Sequence, residues 1–267
     1  MKRNIYLFVL ALMVAISSVQ CSTDKVEEPE VPSSIEQFFK ADRHTYNGHT
    51  LQYQECIFQS SQSGTSALVV VLHGQYANGS DNKTQLHQAA MIRVWNYLYY
   101  SNMKAIMLAP QCPVGCKWDE NPDKLSRDTM AERLKALIDD YVANRPSIDR
   151  SRIYIIGYAD AASPSGAGGV WRMLSVYPEM FASGVAVASD PDNSISASII
   201  ALTPVLFVKG LPDIYESSTM LDTFGDWVRD AGGIFREVIV HARSRDDIYS
   251  EAFSKDNLDW AFQHTRE

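Results

Sequence analysis

From residue 37 onward the chain alternates two hydrophobic patterns. Short apolar runs bounded by Gly, Pro, Asn or Asp recur at ALVVVLHG (67–74), AIMLAP (105–110), RIYIIGYA (152–159), SGVAVAS (183–189), PVLFVKG (204–210) and FREVIVHA (235–242). Runs of this length suit strands buried on both faces of a sheet. LQYQECIF (51–58) alternates apolar with polar and predicts an edge strand. Between the runs lie helical stripes. Met130, Leu134, Leu137, Ile138, Tyr141 and Val142 fall on one helix face, and Met220, Leu221, Phe224, Trp227 and Val228 on another, where the Met and Trp read as core. The alternation predicts a three-layer α/β sandwich, a mostly parallel central sheet with helices on both faces. Ligands of such sheets bind at the carboxyl ends of the strands, so the loops after the runs are where chemistry is sought.

The N-terminus follows another pattern. Lys2 and Arg3 precede an apolar run from Ile5 to Ile16, then Ser17-Ser18-Val19-Gln20 and Cys21. This is the layout of a secretory signal, and the run is too short for a bilayer that needs about 20 apolar residues. Cysteine directly after such a region resembles a bacterial lipoprotein signal, which implies lipid on Cys21 and an exported, membrane-anchored protein on the periplasmic or cell-surface face. The expected division is a signal peptide over 1–20, an acidic, Pro- and Ser-rich tether over 21–36, and a single domain over 37–267. Losing Lys2 and Arg3 with the signal takes the formal charge from −8 to −10. That argues against nucleic acid or anionic lipid as a partner, and leaves the lipid on Cys21 as the membrane contact. In an oxidising compartment Cys112 and Cys116 are spaced for a small disulfide loop, with Cys56 left over; other pairings stay open. No cofactor is called for, and no metal motif surrounds the cysteines.

Two loops carry the candidate chemistry. HGQYANGSDN opens on Gly74, which lets the backbone approach a ligand, and Asn78, Gly79 and Asn82 set a polar turn. RIYIIGYADAAS (152–163) reads as a buried strand, a sharp turn and a helix start. With LAPQCPVGCKW, GVWRMLSVYPEMFASGVAVAS and FVKGLPD in order behind them, these blocks resemble the α/β-hydrolase superfamily, in its carboxylesterase, phospholipase and feruloyl-esterase-like lipoprotein branch. The resemblance implies a Ser-Asp-His triad in that chain order and an oxyanion hole at the His-Gly turn, with Gln75 supplying an N–H.

Carried over residue by residue, the roles are incompletely filled. Asp213 stands at the triad-acid position, with Lys209 in place of the family's neighbouring histidine. The nucleophile position of GxSxG falls on Ala159, whose methyl has no lone pair, and its second glycine on Ala161. The histidine position falls near Asp246; His241 lies about five residues too early. Both losses point to a hydrolase scaffold kept for binding an unidentified small-molecule, glycan or ester ligand. The rival is a displaced nucleophile: counted from the helix side, the slot lands near Ser163 and Ser165, although Ser163-Pro164 also reads as a helix cap. Asp160, Asp190, Asp192, Asp213, Asp246 and Asp247 all follow strands and form a third candidate set, for a cation.

Overall fold

The structure is a computed structural model that describes residues 34–61, 63–120, 129–160, 165–211 and 221–266, without the side chains of 211, 221 and 222. Its elements run β1 (Lys40–Tyr46), β2 (His49–Phe58), β3 (Ser66–Leu72), α1 (Ala89–Tyr100), β4 (Ala105–Gln111), α2 (Met130–Ala143), β5 (Ile148–Tyr158), α3 (Gly166–Val176), β6 (Ser183–Val187), α4 (Ala197–Ile200), β7 (Val205–Leu211), α5 (Leu221–Asp230), β8 (Phe235–His241), α6 (Arg245–Ala252) and α7 (Lys255–Phe262). The eight strands form one sheet in the order β1-β2-β4-β3-β5-β6-β7-β8. The pairs β1 with β2 and β2 with β4 are antiparallel, and every later pair is parallel.

Each face of the sheet is sealed by its own set of helices. Leu68, Val70 and Leu72 of β3 point into a core with α2, α3, α4 and α5. Val69 and Val71, one residue out of step, point into a second core with α1, α6 and α7. This two-sided burial explains why β3 is buried at every position and apolar from Ala67 to Leu72, since alternate residues of a strand serve opposite faces. The three-layer sandwich expected from the sequence is the observed architecture.

Three details depart from the pattern reading. The edge strands are β1 and β8, not the 51–58 run, which lies between β1 and β4; the 235–242 run, expected to be buried on both faces, is buried only at Phe235 because β8 has a neighbour on one side alone. KADRHTY is polar nearly throughout and mostly exposed, so β1 leaves no apolar signature. Trp227, taken as core, is 51% exposed, whereas Phe224 and Val228 of the same helix are buried. Packing also begins before residue 37: Ile35 is fully buried in the core beside α1.

The crossing of β3, β5 and α3 is set by glycine. A Cβ on Gly157 would lie 2.0 Å from the Gly166 carbonyl oxygen, and one on Gly166 would lie 2.1 Å from the Leu72 carbonyl oxygen. Both obstacles are backbone and cannot move aside like a side chain. Gly166→Ala is therefore expected to destabilise the domain by about 3 kcal/mol or prevent folding, measured by urea denaturation. An unchanged midpoint would mean that α3 sits farther from the sheet.

Candidate functional site

The site is built where β3 and β5 end side by side, Leu72 being in register with Gly157. After β3 come His73 and Gly74, then a 3-10 turn over Gln75–Ala77. After β5 come Ala159 and Asp160. The two loops are joined by the Asp160 side chain. Its Oδ2 accepts hydrogen bonds from the Tyr76 backbone N–H at 3.1 Å and from Gln88 Nε2 at 2.7 Å. Gln88 closes the circuit, since its Oε1 accepts from the Gly74 N–H at 3.1 Å and from the Tyr158 hydroxyl at 2.7 Å. Gly74 is required here in the plainest steric sense: any Cβ would fall 2.1 Å from the Asp160 carboxyl carbon.

Gln88 precedes α1 as its N-cap residue but makes no capping bond with its side chain. Its carboxamide is spent on the two loops instead. Tyr158 is fully buried against Tyr249 and Phe253, and burial holds its hydroxyl well above the usual tyrosine range.

Ala159, the residue that the sequence aligned with the nucleophile position, is held by its backbone. Its N–H donates to Val187 O at 3.0 Å, and its carbonyl accepts from the Tyr249 hydroxyl at 2.7 Å and from the Arg245 guanidinium. Catalytic serines of GxSxG turns sit on a strained strand-to-helix bend. The non-glycine residues with positive φ are Asn47, Asn82, Asn102 and Ala188, so among the described residues Ala159 carries no left-handed strain.

The remaining sequence candidates are scattered. Asp246 is mostly exposed and binds Arg93 through both carboxylate oxygens, at 3.0 and 2.9 Å. The α6 residues that reach Ala159 are its neighbours Arg245 and Tyr249. Asp247 accepts from the backbone N–H groups of Arg243 and Ser244, which hold its carboxyl below the usual range, and Asp192 pairs with Arg172 at 3.0 Å. Asp160, Asp192, Asp246 and Asp247 are therefore each engaged separately; among the described residues no group of three or more His, Cys, Asp or Glu is placed to hold a metal ion. Lys209 is buried and pairs with Glu237 at 3.2 Å. His241 is exposed at the end of β8. Asp213, Ser163, Ala161 and Cys21 lie outside the described residues.

Ser165 is buried just before α3 and gives that helix no side-chain cap; its hydroxyl faces the His73 carbonyl at 3.4 Å. Gly166 makes a close backbone contact with Gly157, where a Cβ would lie 2.0 Å from the Gly166 carbonyl oxygen. No histidine nitrogen is open to Ser165 at this point. His73 Nδ1–H donates to Gly74 O at 2.6 Å, and Nε2 accepts from the Cys112 N–H at 2.8 Å, which fixes a neutral ring.

Beside the turn lies a cavity of about 150 Å³ lined by Gln75, Asn78, Gly115, Cys116, Lys117, Asp119 and Ser165. Burial raises the Asp119 carboxyl above its ordinary value. Cys112 is a buried thiol, and Cys56 another, pushed up to about 11 by burial. The small Cys112–Cys116 disulfide loop drawn from the spacing is not formed. Gln111 secures the wall behind the cavity: its amide nitrogen bonds Ala77 O and Asp81, while its oxygen accepts from the Asn82 N–H at 2.7 Å.

Neither a protein-family model nor a curated protein sequence matches the chain. Solved structures do. It is similar to a thermostable esterase with a TM-score of 0.71 and 22% identity, covering 86% of this chain and 64% of that one. A ferulic acid esterase gives 0.58 and 14%, covering 84% and 97%, and an acylaminoacyl peptidase of Pyrococcus horikoshii gives 0.55 and 13%, covering 85% and 42%. The chain thus spans under two thirds of the thermostable esterase. Its fold is that of the α/β-hydrolases.

His73 links this site to pH. Full burial, offset in part by its bond to Gly74 O, pulls its pKa down to about 4 from an ordinary 6.5. Between pH 6.5 and 4 the unfolded chain binds a proton that the folded chain refuses, so stability falls as pH falls through this window and the contribution levels off below 4. The expected loss is about 3 kcal/mol, read from urea unfolding at steps between pH 7 and 4. His73→Asn should flatten that slope; an equal slope in the variant would assign it to other groups.

Proposed function

We propose that this chain is an exported, lipid-anchored binding or accessory protein on an α/β-hydrolase scaffold of esterase descent, without Ser-His-Asp chemistry. The observation that carries the reading is the Asp160 carboxylate seated on the Tyr76 N–H, beside Ala159. An esterase keeps the donors of this turn open for the oxyanion of a tetrahedral intermediate. Here the N–H groups on either side of the expected donor Gln75, those of Gly74 and Tyr76, are taken by side-chain oxygens of the same protein. An oxyanion developing at the Gln75 N–H would have the Asp160 carboxylate as a neighbour, which opposes its charge.

The residue types around the cleft support the same conclusion. Ala159 offers no nucleophile, the Asp246 carboxylate is bound to Arg93, and both nitrogens of His73 are engaged. The cavity lined by Gln75, Asn78, Lys117, Asp119 and Ser165 offers hydrogen-bond partners of both kinds, which suits the hydroxyls of a glycan. Export and attachment through Cys21 rest on the N-terminal signal pattern and belong to this proposal.

The rival reading, a serine hydrolase with its nucleophile shifted to Ser163 or Ser165, draws support from the position of Ser165 in the cavity wall and from the Gly157–Gly166 contact. A fluorophosphonate probe separates the two. The expected result is no labelling and no hydrolysis of p-nitrophenyl acetate above the rate of denatured protein. Labelling that disappears in Ser163→Ala or Ser165→Ala would establish the shifted site and end the binding-protein reading. Asp160→Ala provides an independent check on the filled turn. It strands the Tyr76 N–H and the Gln88 amide, and should cost about 1–3 kcal/mol in urea denaturation.

A further inference from the structure

The end of α1 carries aromatic rings that face water. Tyr99 and Tyr100 are 53% and 52% exposed, and Phe38, from the segment leading into β1, is 43% exposed. The rings are continuous. Phe38 stands 4.7 Å from Trp95, Trp95 stacks on Tyr99 at 4.9 Å, and Tyr99 meets Tyr100 edge-on at 5.0 Å. Trp95 is buried and packs inward on Phe58, so the outer rings rest on a fixed base. Covering them costs little side-chain freedom.

The charges around this patch are paired. Glu36, two positions before Phe38, bonds Lys83 at 2.6 Å and His87 at 3.3 Å, and the Lys83 bond is the main reason its carboxyl stays below the usual range. Arg93 is matched by Asp246, and the Tyr97 hydroxyl by Asp259 at 2.7 Å. A charge-balanced aromatic face carrying phenolic hydroxyls has the chemistry of side chains found at the boundary between lipid headgroups and acyl chains.

Its place in the chain identifies the occupant. The polypeptide joins the packed domain at buried Ile35, three positions before Phe38 and fourteen after Cys21. That length spans no more than about 50 Å even if fully extended. The patch therefore stands beside the point where a chain anchored through Cys21 would enter the described domain. The net negative charge of the chain gives no electrostatic help toward a bilayer, so contact between the domain and lipid has to come from apolar and aromatic side chains.

We propose that Phe38, Tyr99 and Tyr100 form the face that this domain lays on a lipid bilayer, as the second membrane signal beside Cys21. The inference rests on the lipid-anchor reading of Cys21, and the two are tested separately. The chain from Ser22 onward, which keeps the whole packed domain and lacks the lipid, is sedimented with phosphatidylcholine vesicles. The bound fraction should rise with lipid concentration and fall about tenfold or more in a Phe38→Ser, Tyr99→Ser, Tyr100→Ser variant. Tyr99→Phe with Tyr100→Phe should retain binding, and circular dichroism melting checks that each variant is folded. Equal binding by the serine variant, or no binding by the parent, overturns the proposal. So does a lipid-free dimer in analytical ultracentrifugation that the serine variant abolishes, which would make a second copy the occupant. Labelling of the full chain by radioactive palmitate in cells tests the anchor alone; its absence would remove the tether and leave the vesicle result to decide the face.

Discussion

The bond between the Asp160 carboxylate and the Gln88 carboxamide, 2.7 Å long, joins the parts of the molecule that would otherwise form an open cleft. Through it the loop after β5 is tied to the start of α1, and through the other end of Gln88 to Gly74 and Tyr158. The circuit is possible only because Gly74 has no Cβ and because β3 and β5 run in parallel register up to Leu72 and Gly157. The sheet geometry of the α/β-hydrolase fold is thus present, and the corner between the ends of β3 and β5 is crossed by the protein's own polar groups.

Much of the fold was legible because burial on two faces imposes a simple pattern. β3 through β7 were each visible as short apolar runs, since a central strand with helices above and below has few positions left for polar residues, and β8 was visible as a run although it is an edge strand buried only at Phe235. β1 was not legible. Its sequence is polar because an edge strand can satisfy its outer face with water, and its pairing with β2 is a tertiary fact. Trp227 shows the converse: a helical stripe gives the direction of burial but not where the neighbouring surface ends.

The candidate site was legible as an address more than as a set of contacts. The sequence located Gly74, Ala159 and Asp160 at adjacent strand ends, and the structure brings these three together. Gln88 carried no signal, since a glutamine before a helix is common and its partner lies 72 positions away. Arg245 and Tyr249 were hidden next to Asp246, because counting along a loop places a residue only to within a few positions and a helix turns each residue by about 100°. The side-chain direction of Asp160, toward the turn, also depends on packing that no local motif encodes.

These contacts bear on the stability of the turn that follows β5. A strained nucleophile bend and unfilled backbone donors are both costs to stability, with about 1–3 kcal/mol typical of a backbone held in a sparsely populated conformation. Here Ala159 lies outside the left-handed region, its carbonyl is bonded by Tyr249 and Arg245, and the nearby donors of Gly74 and Tyr76 are answered by Gln88 and Asp160. Each of these arrangements stabilises the folded chain, and under the proposed binding role none of the groups involved has to be left unfilled for chemistry. Stability and acyl transfer would compete for the same few groups at the ends of β3 and β5, and the contacts present there are stabilising ones.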